Sequence, residues 1–388
     1  GNYNNIEGSA NAVEGSVNTV AGNLNVIDDG NYNVISGNQN VVNDGDLNGL
    51  LGNANYVQGS ANLIQGDVNT VLGNTNLVGG DSNYVGGDSN AVAGNSNYLV
   101  GDSNSLVGSS NTVNGNTNDV VGDCNTLQGS DNDVVGSVNT VIGNTNALVG
   151  NQNTVIGADN TAYGDLNSIL GNENTAIGTG NSQIGTGNTA VGITNTQIGE
   201  DNTAIGVSNT QYGSDNTAIG GCNTQVGTGN TAVGTNTYTY GSDNTVTGTN
   251  TATIGNENIV YASDSTTVGN TNLISGSNLV TYGSDNTVIG SSSQTVGDQN
   301  FVNGNSNAVT GDTNAVVGGG NLVYGSGNTI LSAESGSNAD CGSAVIPGIP
   351  EEVDYGSTTS CTLPTSSDGC SYTLPTYTCP QLPTSNTA

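Results

Sequence analysis

From Gly45 to Gly325 a glycine returns at every seventh residue, interrupted only at Ala262, and the polar and apolar positions between glycines keep one order. With each unit numbered from its glycine as 1, asparagine takes position 4 and an aliphatic residue position 6, as in Gly143-Asn144-Thr145-Asn146-Ala147-Leu148-Val149. Counted from Gly1, 47 such units run through Leu331, two of them lengthened to eight residues at Asp28-Asp29 and Asn43-Asp44. A short fixed period marks a solenoid, whose units bury apolar side chains only by stacking on their neighbours. A heptad coiled coil is excluded, because a glycine in every unit costs ~1 kcal/mol each in a helix interior relative to alanine. Positions 4 and 6 share one side of an extended chain and positions 5 and 7 the other, so each unit predicts a short strand and a glycine corner.

Two units complete one coil. Between Asn174 and Val233 alanine and glutamine take turns at position 6, as in Asn174-Thr-Ala-Ile, Asn181-Ser-Gln-Ile and Asn188-Thr-Ala-Val. Downstream, asparagine gives way at Thr237, Thr251, Ser265, Leu279 and Ser293, while Asn244, Asn258, Asn272, Asn286 and Asn300 keep it. Both alternations repeat at 14 residues and define two faces, A containing Asn174 and B containing Asn181. The predicted fold is all-β: a parallel β-solenoid, or flattened β-roll, of about 23 coils and about 110 Å at a strand spacing of ~4.8 Å. Asn174, Asn188, Asn202, Asn216 and Asn230 are expected to form one asparagine ladder, each amide bonded to its copies above and below. Position 6 supplies the dry interior between the sheets.

Gly185-Thr-Gly-Asn-Thr-Ala-Val-Gly192 and Asp201-Asn-Thr-Ala-Ile-Gly206 resemble the head repeats of trimeric autotransporter adhesins, most clearly over residues 150 to 233. Those heads are left-handed β-rolls that also use 14-residue coils, so the resemblance implies a β-roll on a cell surface.

Composition narrows the partners. The chain has no lysine, arginine or histidine and a formal charge of −32, so nucleic acid and anionic membranes lose their main electrostatic attraction. No apolar run reaches the ~18 residues of a membrane span. Without histidine or lysine, activating a nucleophile falls to scattered corner carboxylates, and no enzyme is expected. No cofactor is expected either, beyond weak binding of calcium or another cation at corners such as Asp81, Asp88 and Asp102.

Two surface features bear on function. From about residue 157 position 7 turns apolar, as at Ile177, Ile184, Val191, Ile198, Ile205 and Tyr212. Either the strands shift there to bury positions 5 and 7 and turn alanine and glutamine outward, or an exposed stripe associates rods laterally. Face B carries a threonine column at Thr239, Thr253, Thr267, Thr281 and Thr295, of the flat, regular kind that ice-binding β-solenoids display. Cys124 and Cys222 both stand at position 3, seven coils apart. The strand spacing puts them about 34 Å apart, beyond the ~7 Å Cα limit of a disulfide, which leaves free thiols or cross-links to another chain.

The register stops at Ser332. The organisation read from the sequence is a rod over 1–331, a linker over 332–346 and a Pro/Thr/Cys-rich tail over 347–388 stapled by disulfides among Cys341, Cys361, Cys370 and Cys379, in an unresolved pairing. Export into an oxidising, extracellular compartment follows as an expectation. Gly1, Asn2, Tyr3 and Asn4 open an ordinary unit with no cap, and bare strand edges seek partners. The expected function is therefore an extracellular structural protein whose rods stack head to tail into a fibre or surface appendage. The alternative is an adhesin or ice-binding protein that uses a flat face.

Overall fold

The computed structural model of the chain describes residues 3–331. Within them lie 47 strands, from Asn5–Glu7 to Thr329–Leu331, and no helix. Each strand, the outermost of each sheet apart, pairs in parallel with the strands two before and two after it, so odd strands build sheet A (face A) and even strands build sheet B (face B). The register is 14 residues, as in Thr189↔Thr203 on sheet A and Thr196↔Thr210 on sheet B. It lengthens to 15 where the two eight-residue units enter, as in Thr19↔Val34 and Val26↔Val41. There Asp29 and Asp44 take left-handed conformations (φ 51° for each) and absorb the added residue in the corner.

Position 6 forms the interior. Val20, Ile35, Leu50 and Ile64 from sheet A meet Ile27, Val42, Val57 and Val71 from sheet B, all buried; full burial of such a side chain contributes about 1.5–3 kcal/mol. The apolar core falls in two stretches, Val20 to Ala176 and Val246 to Val323. Between them small alanines of sheet A, such as Ala190 and Ala204, face buried glutamines of sheet B, such as Gln197 and Gln211.

The corners are closed by the position-4 carboxamides. Asn90 Nδ2 donates to Asn76 Oδ1 at 3.1 Å and to the Gly101 carbonyl at 2.8 Å, while its Oδ1 accepts from the Asn104 N–H at 2.9 Å. Asn188, Asn202, Asn216 and Asn230 repeat this on sheet A, each Nδ2 reaching the Oδ1 of the previous member at 3.0–3.1 Å. Most strands have three residues. From Ser168–Asn172 to Thr245–Thr249 they lengthen to five, and pairing then runs across the glycine, as in Gly185↔Gly199.

The substituted asparagines fall on one corner only. Where Thr251, Ser265 and Leu279 replace asparagine, sheet A keeps five-residue strands through Thr287–Ser291. Sheet B, whose strands end at the corner served by Asn258 and Asn272, returns to three. A parallel ladder that continues across the corner gives the glycine carbonyl a main-chain donor in place of the missing carboxamide.

Candidate binding faces

With positions 4 and 6 turned inward, positions 5 and 7 form the outer surfaces, and over residues 140–247 both become regular. On sheet A every fourteenth residue from Thr161 to Thr245 is threonine, with Thr175, Thr189, Thr203, Thr217 and Thr231 between. Two residues after each stands Tyr163, Ile177, Val191, Ile205, Ile219, Val233 or Thr247. On sheet B the same seven-rung pattern runs from Thr140/Ile142 to Thr224/Val226, with serine at Ser168 and Ser182. Stacked strands and alternate residues set repeats of about 4.8 Å along the rod and about 6.6 Å across it. The outcome is a flat two-dimensional array of hydroxyls, methyls and aliphatic side chains on each side. Carboxylates are absent from positions 5 and 7 of these rungs. Asp159, Glu173, Asp201, Asp215 and Asp243 stand instead at position 3, on the corner that leads into sheet A.

The sheet-A array is anchored from beneath. Gln197 of sheet B donates through Nε2 to the Thr189 carbonyl at 2.8 Å, the Asn202 carbonyl at 2.8 Å and Gln211 Oε1 at 2.9 Å. Gln183, Gln211 and Gln225 make the matching bonds to the carbonyls of Thr175, Thr203 and Thr217 at 2.8–2.9 Å. Four outward threonines thus have their main chain fixed to the opposite sheet. A surface that recognises a rigid lattice gains from such prior ordering, because little freedom remains to be lost on contact.

The threonine column read from the sequence lies elsewhere. Thr239, Thr253, Thr267, Thr281 and Thr295 occupy position 6 and are fully buried against Val246, Val260, Ile274 and Val288, with hydroxyls that find no hydrogen-bond partner. They point into the core and display nothing, which corrects the expectation of an exposed threonine face on these residues. Thr267→Val is expected to stabilise the rod by about 1–2 kcal/mol, because it removes a buried unpaired hydroxyl at constant shape. Denaturant titration checks this, and a loss of stability would mean that the hydroxyl has a partner.

At position 7 the structure decides between the two facings. Ala176 and Gln183 are buried while Ile177 and Ile184 are each 42% exposed, so the strands do not shift and the apolar stripe faces outward. Cys124 and Cys222 are exposed free thiols on the same corner, in left-handed conformations (φ 59° and 55°). Tyr3 is 89% exposed, and Asn4 opens a ladder by donating to the Gly15 carbonyl and accepting from the Asn18 N–H. Gly1, Asn2, Cys341, Cys361, Cys370 and Cys379 lie outside the described residues, as do the linker and tail. Among the described residues no group of three or more acidic or cysteine side chains is placed to hold a metal ion, and no helix is long and apolar enough to cross a membrane. The outward threonines of position 5 were missed from sequence, although their 14-residue spacing was visible; threonine suits any strand position and does not announce its facing.

Comparison with known proteins adds one family. The sequence model of the grass antifreeze beta roll matches residues 21–115 and 248–341, just under half of the chain. The similarity is thus to an antifreeze β-roll rather than to the autotransporter heads that residues 150–233 resemble. The two matched stretches flank residues 116–247, the segment that holds both regular arrays. No curated protein matches the chain.

Proposed function

We propose that this protein is an extracellular ice-binding β-solenoid that adsorbs to crystalline water through the outer face of sheet A. The observation that carries this reading is the seven-rung array from Thr161 to Thr245, which is uncharged, regularly spaced and anchored by the glutamine ladder. Hydroxyls at a fixed two-dimensional spacing order the water above them, and the methyls and isoleucines between exclude disordered water. The similarity of the flanking stretches to an antifreeze β-roll supports an ice-binding role for the chain.

The test measures thermal hysteresis and adsorption to a growing ice surface. Wild type and Thr267→Val, whose substitution is buried, are expected to be active. A variant with Thr203→Tyr, Thr217→Tyr, Ser182→Tyr and Thr196→Tyr is expected to fold and to lose adsorption. Tyrosine fits position 5, where Tyr84 and Tyr98 already stack with ring centroids 4.9 Å apart. Absence of any adsorption by the wild type would defeat the reading.

A further inference from the structure

Resting on the ice reading, we infer that sheet B is a second, independent ice-binding site and that one rod holds two crystals at once. Its outer face repeats the chemistry of sheet A: hydroxyls at position 5 from Thr140 to Thr224, and aliphatic or aromatic side chains at position 7 from Ile142 to Val226. Each array has seven rungs, and the two are offset by 21 residues, one and a half coils. They therefore overlap along most of their length on opposite sides of one core.

Charge divides the two arrays from one another. The acidic residues of this segment stand on the corners, so each face is a neutral plane edged by polar turns. The intervening core is thin, one buried side chain from each sheet, and the glutamines of sheet B tie the sheets together through their bonds to the Thr175 and Thr189 carbonyls of sheet A. A rigid two-layer rod cannot lay both of its opposite planes on one flat crystal surface. Adsorption through sheet A leaves sheet B free in solution, facing away from the first crystal, and the reverse holds equally. Two such sites in one molecule make the rod a cross-link between crystals.

The experiment compares four full-length chains: wild type, Thr203→Tyr with Thr217→Tyr on sheet A, Ser182→Tyr with Thr196→Tyr on sheet B, and the fourfold combination. Each is assayed for adsorption to ice and for clumping of a stirred slurry of small ice crystals, with folding checked by circular dichroism. Both single-face variants are expected to keep adsorbing and to lose clumping, and the fourfold variant to lose both. If the sheet-B variant behaves as wild type while the sheet-A variant adsorbs no better than the fourfold chain, the second site does not exist. A wild type that never adsorbs overturns the underlying ice reading, a result distinct from adsorption without clumping, which overturns only the cross-link.

Discussion

Gly101→Ala is expected to divide the rod into two thermal units and to destabilise the adjoining coils by at least about 3 kcal/mol. Gly101 has φ +134°, a conformation close to reserved for glycine, and a Cβ built on it falls 1.8 Å from the Gly115 carbonyl oxygen and 2.6 Å from its carbon. Both obstacles are main chain of the next coil, so no side-chain movement relieves them. The exception within the sequence shows what relief requires. Ala262 occupies the glycine position without a positive φ, inside the strand Ile259–Ser263. A five-residue strand alone does not provide this, since Gly199 within Thr196–Glu200 keeps φ +132°, and Gly101 at φ +134° lacks the backbone that Ala262 adopts. Because coils contact only their neighbours, the damage stays local and the cooperative array breaks there. Scanning calorimetry should resolve two transitions, and limited proteolysis should cut near residues 95–116. Ala262→Gly, the reverse exchange, is expected to cost only about 0.5–1 kcal/mol. A Gly101→Ala chain that melts in one transition at the wild-type temperature would falsify this account of the corner.

The coil, the two faces and the asparagine ladder were legible because each depends on a repeat that only stacking can explain. An asparagine kept at one position through tens of units has copies of itself as neighbours whatever the fold's detail. The corner conformation was hidden for the opposite reason. Val17, Val68 and Val138 stand at φ 62–64°, a region that β-branched residues avoid. They are held there by the coil before, as when the Val68 N–H donates to the Asn53 carbonyl at 2.9 Å. Local propensity therefore misreads the turn, and the stack imposes it. The facing of Gln183, Gln197, Gln211 and Gln225 was ambiguous because a buried glutamine is costly until its partners are known. Alanine across the core makes room for it, and carbonyls of the opposite sheet satisfy its donors. Once glutamine is inward, isoleucine at position 7 must be outward, and with it the threonine at position 5. The functional surface thus depended on one facing that sequence alone left open.

Asn90→Leu is expected to cost about 2–6 kcal/mol, and Asn188→Leu distinctly less. Leucine at position 90 removes the donor to the Gly101 carbonyl and the acceptor for the Asn104 N–H, two main-chain groups with no other partner at a three-residue corner. Each buried group left unpaired costs about 1–3 kcal/mol, and the added apolar bulk cannot solvate either. At position 188 the carboxamide also serves a glycine carbonyl, that of Gly199 at 2.8 Å, but there Thr196–Glu200 carries the strand ladder across the glycine. The sequence has already made this exchange once. Leu279 stands at position 4 on sheet B, at the corner where sheet A retains Leu273–Ser277 and Thr287–Ser291 as five-residue strands paired through Gly276↔Gly290. Carboxamide and extended ladder are thus alternative ways to close a corner, and a coil that has both tolerates loss of the first. Guanidinium titrations of the two variants, read by far-ultraviolet circular dichroism, measure the difference. Equal losses at the two positions would mean that the carboxamide, not the extended strand, closes every corner, and that Leu279 survives for another reason.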